Sequence, residues 1–442
     1  MDSTQLQAEG QHPNHRAILM VLGVLCILAL SMLAYRGMYR GFVSGSDFGL
    51  YYCSTVAMVK TGDPYSPEPL RELAEECGAP TNVIENAIAP PICYTPLLPY
   101  AALPWPAARV LWACTNVLGV AALWYWLMGL ARIPRIRLSP QWLGMTLLVA
   151  GFAPLQTNIA FGQLAVLASA GIIGSIALAQ QGKTRTAACL YVLAGLLKPQ
   201  IAIAFVLYWL YKREWRLISY TASIGLVITL LTFGWLHVKN PIWFEAFQAN
   251  LQRLTQDGGA SDYTRRDSYI FSDLRVPLYA MFQSKPIAAG LAWAITILLA
   301  LLAYPSLKQS GESHANTQPD QPLQDLRAAS VVACLGMLPI YHVYYDTTIL
   351  LLAGAWAIAL LLRVRTWQAI AALLLLTPML VPGQPILNTL KQRDILPGWL
   401  VDSNLYQWFV LLHLPWLIIA ISVCMISYNR PNSSTASDLE RV

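Results

Sequence analysis

Long runs of apolar residues, separated by short polar stretches, dominate the chain. A hydrocarbon core about 30 Å thick requires roughly 20 apolar residues in a helix that crosses it, and lipid leaves no water to satisfy the backbone of an open sheet. The pattern therefore predicts an all-α polytopic membrane protein with about 10–12 transmembrane helices. The full-length candidates lie at 17–35, 107–130, 141–156, 161–180, 217–238, 286–304, 327–341, 345–362, 366–382 and 405–428.

The apolar stretch 187–211 differs from these spans because Lys198-Pro199 interrupts it. If the basic clusters on either side of it lie on one face of the membrane, each half of about 12 residues is too short to cross alone. We interpret the stretch as a broken or re-entrant helical pair, and we expect its turn at Lys198 to face a polar site, since irregular backbone at membrane depth lines cavities. The alternative is one long tilted helix whose lysine reaches back to the interface.

Lys and Arg concentrate in four short loops, which the positive-inside rule assigns to the cytoplasm: 131–140, 181–186, 212–216 and 363–365. The tight turns predicted at 157–160 and 342–346 hold neither residue. Both termini are then cytoplasmic, and the segments expected on the extracytoplasmic face are 36–106, 239–285 and 383–404. The net charge of +6 is therefore a topology signal, and no nucleic-acid partner is expected.

Only 12% of the residues are charged and 56% are hydrophobic, which excludes an ordinary soluble domain. We expect residues 1–428 to form one integral domain in the cytoplasmic (inner) membrane, with 17–35 as a signal anchor because no small-residue cleavage pattern follows it. The polar segment 305–326 is predicted to be a cytoplasmic loop, and 429–442 a disordered tail.

The sequence lacks the familiar catalytic and nucleotide-binding motifs of soluble enzymes. Gly182-Lys183-Thr184 resembles the end of a phosphate-binding loop, but Ala177 stands where the first glycine is required. Zinc-binding HExxH, dinucleotide and serine-elbow motifs do not occur. Any activity must therefore come from the outer loops and the helix ends that meet them.

Cys77 and Cys93 share the first outer loop, so they either form a disulfide in an oxidising compartment or remain free. No CxxC pair indicates a metal site.

Polar and ionisable residues scattered in the sequence are gathered by this topology on one face. Such residues at the membrane boundary are costly and are therefore functional candidates. They are Asp47, Tyr51, Tyr52, Asp63, Tyr94, Gln163, Lys198, His342 and Asp346.

Each has a structural alternative. Asp47 is also suited to be the N-cap of a helix beginning near Phe48, and Asp63-Pro64 to shape a turn. The tyrosines are also typical of an interfacial belt, His342 of a hydrogen-bonded helix end, and Gln163 of helix–helix contacts.

The loop 239–285 alternates aromatic residues with arginines, a pattern suited to carbohydrate and phosphate. We assign it to acceptor binding, with Arg265 and Arg266 as ligands. The alternative is an amphipathic helix lying on the membrane surface.

A series of short motifs resembles, in order and spacing, the landmarks of glycosyltransferase family 87, over residues 45–350. They are Asp47-Phe48, Tyr51-Tyr52, Gly62-Asp63-Pro64-Tyr65, Tyr94-Thr95-Pro96-Leu97, Phe161-Gly162-Gln163, Ala194-Gly195-Leu196-Leu197-Lys198-Pro199 and His342-Val343-Tyr344-Tyr345. The resemblance implies a GT-C-type fold and an inverting transferase that moves a sugar, expected to be mannose, from a polyprenyl-phosphate donor to an extracytoplasmic glycolipid or glycan.

The resemblance also implies roles for the residues. Asp47 is expected to be the general base, while Lys198 and His342 hold the donor phosphate. Substrate-binding residues would be Tyr51, Tyr52, Asp63, Tyr94, Gln163, Tyr345 and Asp346. Arg265 and Arg266 join them on the pattern of the loop 239–285 and not on the resemblance. No cofactor is expected, and divalent metal should not be essential, because lysine and histidine suffice for a monophosphate donor.

Three other interpretations stay open at this point. An arabinofuranosyl donor would use the same lipid-phosphate chemistry. A lipid or solute transporter would also use broken helices. A structural subunit of an envelope complex would require no catalytic aspartate.

Overall fold

The computed structural model describes residues 13–81, 87–136, 138–259, 261–264, 270–311, 321–361, 366–380, 390 and 393–428. This part of the chain is helical, with one isolated antiparallel bridge between Phe271 and Val343 and no named strand. It confirms the predicted all-α fold.

Twenty α-helices are described in this part of the chain, and we number them in order. They are α1 Pro13–Met32, α2 Arg40–Val43, α3 Ser46–Lys60, α4 Pro67–Cys77, α5 Leu98–Ala101, α6 Trp105–Leu130, α7 Pro140–Gly151, α8 Ala153–Phe161, α9 Ala165–Gln180, α10 Thr184–Leu197, α11 Pro199–Tyr211, α12 Trp215–Lys239, α13 Trp243–Thr255, α14 Arg275–Phe282, α15 Lys285–Gly311, α16 Gln321–Gly336, α17 Leu351–Leu361, α18 Trp367–Leu380, α19 Gly398–Val401 and α20 His413–Ile426. Shorter π and 3-10 segments link some of them, at Leu33–Tyr39, Pro91–Cys93, Thr95–Leu97, Tyr344–Leu350 and Tyr406–Leu411.

Within the described residues, five helical stretches are long and apolar enough to cross a membrane, or six if the bent pair α7 and α8 counts as one span. The five are Arg16–Lys60, Trp105–Leu130, Trp215–Lys239, Lys285–Lys308 and Tyr344–Leu361. Five further apolar helices, α9, α10, α11, α18 and α20, are shorter. Within the described residues, the predicted 10–12 spans are reached only if these short helices also cross. The helices show a multi-pass membrane protein.

The break at Lys198 is confirmed. Helix α10 ends at Leu197, Lys198 has φ −145° and ψ 79°, and Pro199 occupies the first turn of α11. The chain then folds back, because the rings of Tyr191 and Trp209 lie only 5.9 Å apart. In one continuous helix those two residues would be about 27 Å apart, so the single tilted helix is wrong.

Other predicted boundaries are wrong. The span predicted at 141–156 is broken at Phe152, where α7 and α8 meet at 45°. The tight turn predicted at 157–160 is part of α8, and the chain turns instead just after Gly162. Helix α16 ends at Gly336 and its first half carries Asp325 and Arg327, so the segment 327–341 is not a full apolar span.

The extracytoplasmic segments predicted as loops contain helices. Residues 36–60 continue the first span as a 45-residue helical stretch, and the segment 239–285 contains α13 and α14. Cys77 and Cys93 are free thiols, so the disulfide alternative is not formed. The predicted tail 429–442 lies outside the described residues, as do 312–320 of the predicted cytoplasmic loop.

Glycines at the end of the first span allow a close helix contact. A Cβ added to Gly41 would lie 2.6 Å from the carbonyl oxygen of Ile159, and one added to Gly37 would lie 3.4 Å from the carbonyl oxygen of Gln156. Small residues at such crossings let two backbones approach. This contact fixes the segment that leads to Asp47 against α8.

We expect Gly41→Ala to destabilise the protein by roughly 1–3 kcal/mol, because the backbone of α8 must move to accept the methyl group. The measurement is thermal unfolding of the detergent-solubilised chain. Gly23→Ala is the matched control, since a Cβ there meets nothing within 4 Å. Equal unfolding temperatures for the two variants would show that Gly41 does not pack tightly against α8.

Candidate active site

A cavity of about 610 Å³ lies where the start of α3, the turn before α9, the break between α10 and α11 and the segment before α17 come together. The polar and aromatic side chains that line it come from these four places and from the outer loops. They are Asp47, Tyr51, Cys93, Tyr94, Gln163, Lys198, Gln200, Ser261, Tyr341 and Tyr345. We call this space the central cavity. It brings together residues more than 290 positions apart in the sequence.

Asp47 lies in the first turn of α3, which begins at Ser46 and not near Phe48. The preceding Gly45 has a φ of +51°, a left-handed conformation that favours glycine, and the N-cap makes no side-chain hydrogen bond. Asp47 is therefore not the helix cap considered as an alternative. Its carboxylate is instead held by other side chains: Oδ1 accepts from Ser46 Oγ at 3.2 Å, and Oδ2 accepts from Gln163 Nε2.

Gln163 joins the acid to a tyrosine. Its Oε1 accepts a hydrogen bond from the Tyr51 hydroxyl at 3.2 Å while its amide nitrogen donates to Asp47. The turn that presents it depends on Gly162, which has a φ of +73° and whose carbonyl accepts from Trp112 Nε1 at 2.8 Å. A Cβ at Gly162 would lie 2.8 Å from that of Phe48, so this turn packs directly on α3.

Lys198 supplies the positive charge of the central cavity. Its Nζ lies 3.0 Å from Asp346 Oδ1 and 5.2 Å from the centre of the Tyr345 ring, and the residue is only 6% exposed. An ammonium group has three donors, so one bond to Asp346 leaves two for a ligand. Asp47 is close enough for its charge to interact with that of Lys198. A carboxylate and an ammonium group thus face one space.

His342 lies behind this layer and does not line the central cavity. It is fully buried, its Nε2 lies 3.2 Å from the carbonyl oxygen of Gly336, and its Nδ1 lies 3.6 Å from Asp346 Oδ2. Asp346 is also fully buried and accepts from the backbone N–H of Val343 at 3.2 Å. The expectation that His342 and Asp346 touch substrate is therefore not supported, and both support Lys198 from behind.

The loop that precedes α14 holds His342 in place, which the sequence did not predict. The backbone N–H of Ser272 donates to the carbonyl of His342 at 2.9 Å, and Leu274 donates in the same way to Leu338. Asp273 is fully buried and binds Arg275 through both carboxylate oxygens, at 2.8 and 3.2 Å. Burial raises the pKa of the Asp273 carboxyl, and the charge of Arg275 opposes that rise. The sequence signal for this ion pair is an aspartate two residues before an arginine.

Two predicted binding residues lie away from the central cavity. The Tyr52 hydroxyl donates to the carbonyl of Leu103 at 2.8 Å, since its side chain leaves α3 on a different face from Asp47 and Tyr51. Asp63 accepts from the backbone N–H groups of Tyr65 and Ser66 at 3.0 and 3.1 Å, so it shapes the turn before α4. Arg265 and Arg266 lie outside the described residues.

Cys93 and Tyr341 line the central cavity and were not predicted as site residues. Burial raises the pKa of each to about 12, so the thiol and the phenol stay neutral. Cys93 is therefore unsuited to be a nucleophile. Tyr341 adds a hydroxyl donor and an aromatic face to the central cavity. Its position could not be read from the sequence because it follows the end of α16, which lies earlier than expected.

The described residues contain no group of three or more His, Cys, Asp or Glu side chains arranged to hold a metal ion. Metal independence of the activity stays a prediction.

A double-mutant cycle can measure how strongly Lys198 and Asp346 stabilise each other. We expect Lys198→Met and Asp346→Leu each to destabilise the protein by about 3–5 kcal/mol, since each leaves a buried charge without its partner. The double variant should lose less than the two single losses together, giving a coupling energy of about 1–3 kcal/mol. Thermal or denaturant unfolding provides the measurement.

The control is the pair of Lys285 and Asp257, in which the aspartate side chain is 88% exposed. Its coupling energy should be at most about 1 kcal/mol. Strict additivity of Lys198→Met and Asp346→Leu would mean that the buried pair is not energetically coupled.

A comparison with protein families identifies a match. The model of glycosyltransferase family 87 matches residues 88–312, about half of the chain. Tyr94, Gln163 and Lys198 lie inside the matched region, while Asp47, His342 and Asp346 lie outside it, so the match is narrower than the resemblance over 45–350. No curated protein and no solved structure matches the chain. Because the family match covers about half of the chain, the chain belongs to glycosyltransferase family 87.

Proposed function

We propose that the enzyme transfers mannose from a polyprenyl-phosphate donor to an extracytoplasmic glycolipid or glycan, with inversion at the anomeric carbon. One observation carries the proposal: Asp47 and Lys198 line the same cavity, the acid with neutral hydrogen-bond partners and the cation with two unused donors. A sugar transfer from a lipid monophosphate needs one group of each kind.

Asp47 is the proposed general base. As the acceptor oxygen attacks the anomeric carbon, its proton passes to a carboxylate oxygen of Asp47, and the bond between that carbon and the phosphate oxygen breaks. The bonding electrons leave on the phosphate, and attack from the opposite side inverts the centre. Gln163 and Ser46 keep the carboxylate oriented, since both hold it by hydrogen bonds.

Lys198 is the proposed ligand of the departing phosphate. Its remaining two donors would bind phosphate oxygens, and the negative charge that develops there would be stabilised in a site largely shielded from water. Asp346 and His342 act one layer behind by fixing the ammonium group. This assigns His342 a positioning role in place of the direct phosphate contact that the sequence predicted.

The remaining lining fits a sugar joined to an isoprenoid lipid. Tyr51, Tyr94 and Tyr345 offer aromatic faces and hydroxyls for the sugar, while apolar side chains such as Leu50, Leu197 and Leu254 suit the start of the lipid chain. The cavity volume of about 610 Å³ lies within the range of roughly 300–1,000 Å³ that is usual for ligand-binding pockets. The tail itself would continue between helices into the bilayer.

The same proposal includes a location in the inner membrane, with both termini cytoplasmic and the site extracytoplasmic. The helical pair α10 and α11 supports it: the basic loops 181–186 and 212–216 lie at the open end of the pair, and Lys198 lies at its closed end. By the positive-inside rule, the basic end faces the cytoplasm.

Asp47→Asn should lower turnover of a polyprenyl-phosphate mannose at least about 100-fold, because an amide cannot take the proton. The measurement is product formation by the purified chain in detergent, with extracted envelope lipids as acceptors. Donors carrying mannose or arabinofuranose are compared in parallel. A transporter would give no product, since it needs two sealed compartments.

Asp63→Asn is the matched control and should keep nearly full turnover, because asparagine retains the oxygen that accepts from Tyr65 and Ser66. Full activity of Asp47→Asn would remove the assignment of the base. Inactivity of the unaltered protein on every donor would contradict the proposed reaction.

Chelation provides a separate prediction. Turnover should be retained in EDTA, since the proposed reaction stabilises the phosphate with Lys198 and uses no metal. Loss of activity that added Mg²⁺ or Mn²⁺ restores would show that a cation takes part.

A further inference from the structure

A second cavity of about 350 Å³ lies beside the central cavity, and nothing in the proposed reaction uses it. Two arginines, a serine, a glutamine and a threonine give it a strongly basic and hydrogen-bonding wall. The lining residues are Arg36, Arg40, Ser44, Gln156, Thr157, Ala160 and Phe161. We call it the arginine pocket. Phe161 lines both cavities, so the two are neighbours.

The two arginines are one helical turn apart, on the π-helical segment Leu33–Tyr39 and the start of α2. Gly37 and Gly41 alternate with them and pack against the backbone of α8 at Gln156 and Ile159. The two glycines lie where this segment comes closest to α8. The arginines therefore lie to the side of that contact and face the polar side chains of α8. π-Helical turns occur frequently at functional sites.

The charge of the arginine pocket is not neutralised by the described residues. Among the described residues, no carboxylate forms an ion pair with Arg36 or Arg40, and no side chain or carbonyl accepts a hydrogen bond from either guanidinium. Two such groups one turn apart match the oxygens of a phosphate, which arginine binds through paired N–H donors.

The surroundings indicate where the anion comes from. Tyr35 and Tyr39 stack at 6.0 Å beside the pocket and are 67% and 59% exposed, as is typical of aromatic residues at a membrane interface. Below them the side chains of α1, among them Leu28 and Leu30, are exposed and apolar, which suits contact with lipid tails. A phosphate at this position would carry its acyl or prenyl chain into the bilayer along α1.

We infer that the arginine pocket binds the phosphate of an anionic lipid, held beside the catalytic cavity by Arg36 and Arg40. The ligand chemistry is a lipid phosphate, and its source is either a bilayer phospholipid or a polyprenyl phosphate. The inference does not depend on the donor or acceptor of the proposed reaction, because binding alone tests it.

The experiment is native mass spectrometry of the full chain in neutral detergent, titrated separately with phosphatidylglycerol, a polyprenyl phosphate, phosphatidylcholine and inorganic phosphate. The unaltered protein should bind phosphatidylglycerol or the polyprenyl phosphate more tightly than phosphatidylcholine. Arg36→Gln combined with Arg40→Gln should weaken that binding at least about tenfold. The lipid whose binding falls identifies the source.

The matched control is Arg185→Gln combined with Arg216→Gln, which removes two exposed charges at other helix ends and should leave binding unchanged. Arg36→Lys combined with Arg40→Lys keeps the charge and loses the paired donors of the guanidinium, so it should bind with intermediate affinity. Unchanged lipid affinity in the Gln variant would overturn the inference. So would equal losses in the control, or displacement by inorganic phosphate with no lipid preference.

Discussion

The buried ion pair between Lys198 and Asp346 is the interaction on which the site depends. A charge taken out of water at this depth is costly unless a partner compensates it, and here the two groups meet at 3.0 Å with 8% and 0% of their side chains exposed. The pair can form only because the helix breaks at Lys198 and because the 3-10 segment after Val343 turns Asp346 toward it. The re-entrant pair α10 and α11 and the turn before α17 are thus joined by one contact.

The two charged groups of the central cavity are held in different ways, and the difference matches their proposed roles. Asp47 receives hydrogen bonds only from a neutral hydroxyl and a neutral amide among the described residues. A directly paired cation would lower its basicity, so neutral partners leave it able to accept a proton. Lys198 has a fixed carboxylate partner and keeps two donors unused by the described residues, which suits a group that binds an anion.

Sequence reasoning found the features that follow from local rules and missed those that depend on packing. A proline after a lysine within an apolar run predicted the break, and the parity of the spans predicted that Asp47, Gln163 and Lys198 would meet. The depth of His342 could not be predicted, because it depends on the backbone bonds from Ser272 to a distant segment. Tyr52 was misplaced because neighbouring residues of a helix point in different directions, and a motif does not say which of the two faces the cavity.

One continuous segment lines both cavities. Arg36, Arg40 and Ser44 face the arginine pocket at intervals of four residues, and Asp47 and Tyr51 face the central cavity at the next helical intervals. Asp47 lies only seven residues after Arg40. The left-handed Gly45 lies between the two sets, at the junction of α2 and α3. A lipid phosphate on the arginines would therefore lie at a distance from the proposed base that is fixed by a single helical segment packed on α8, and not by a mobile loop.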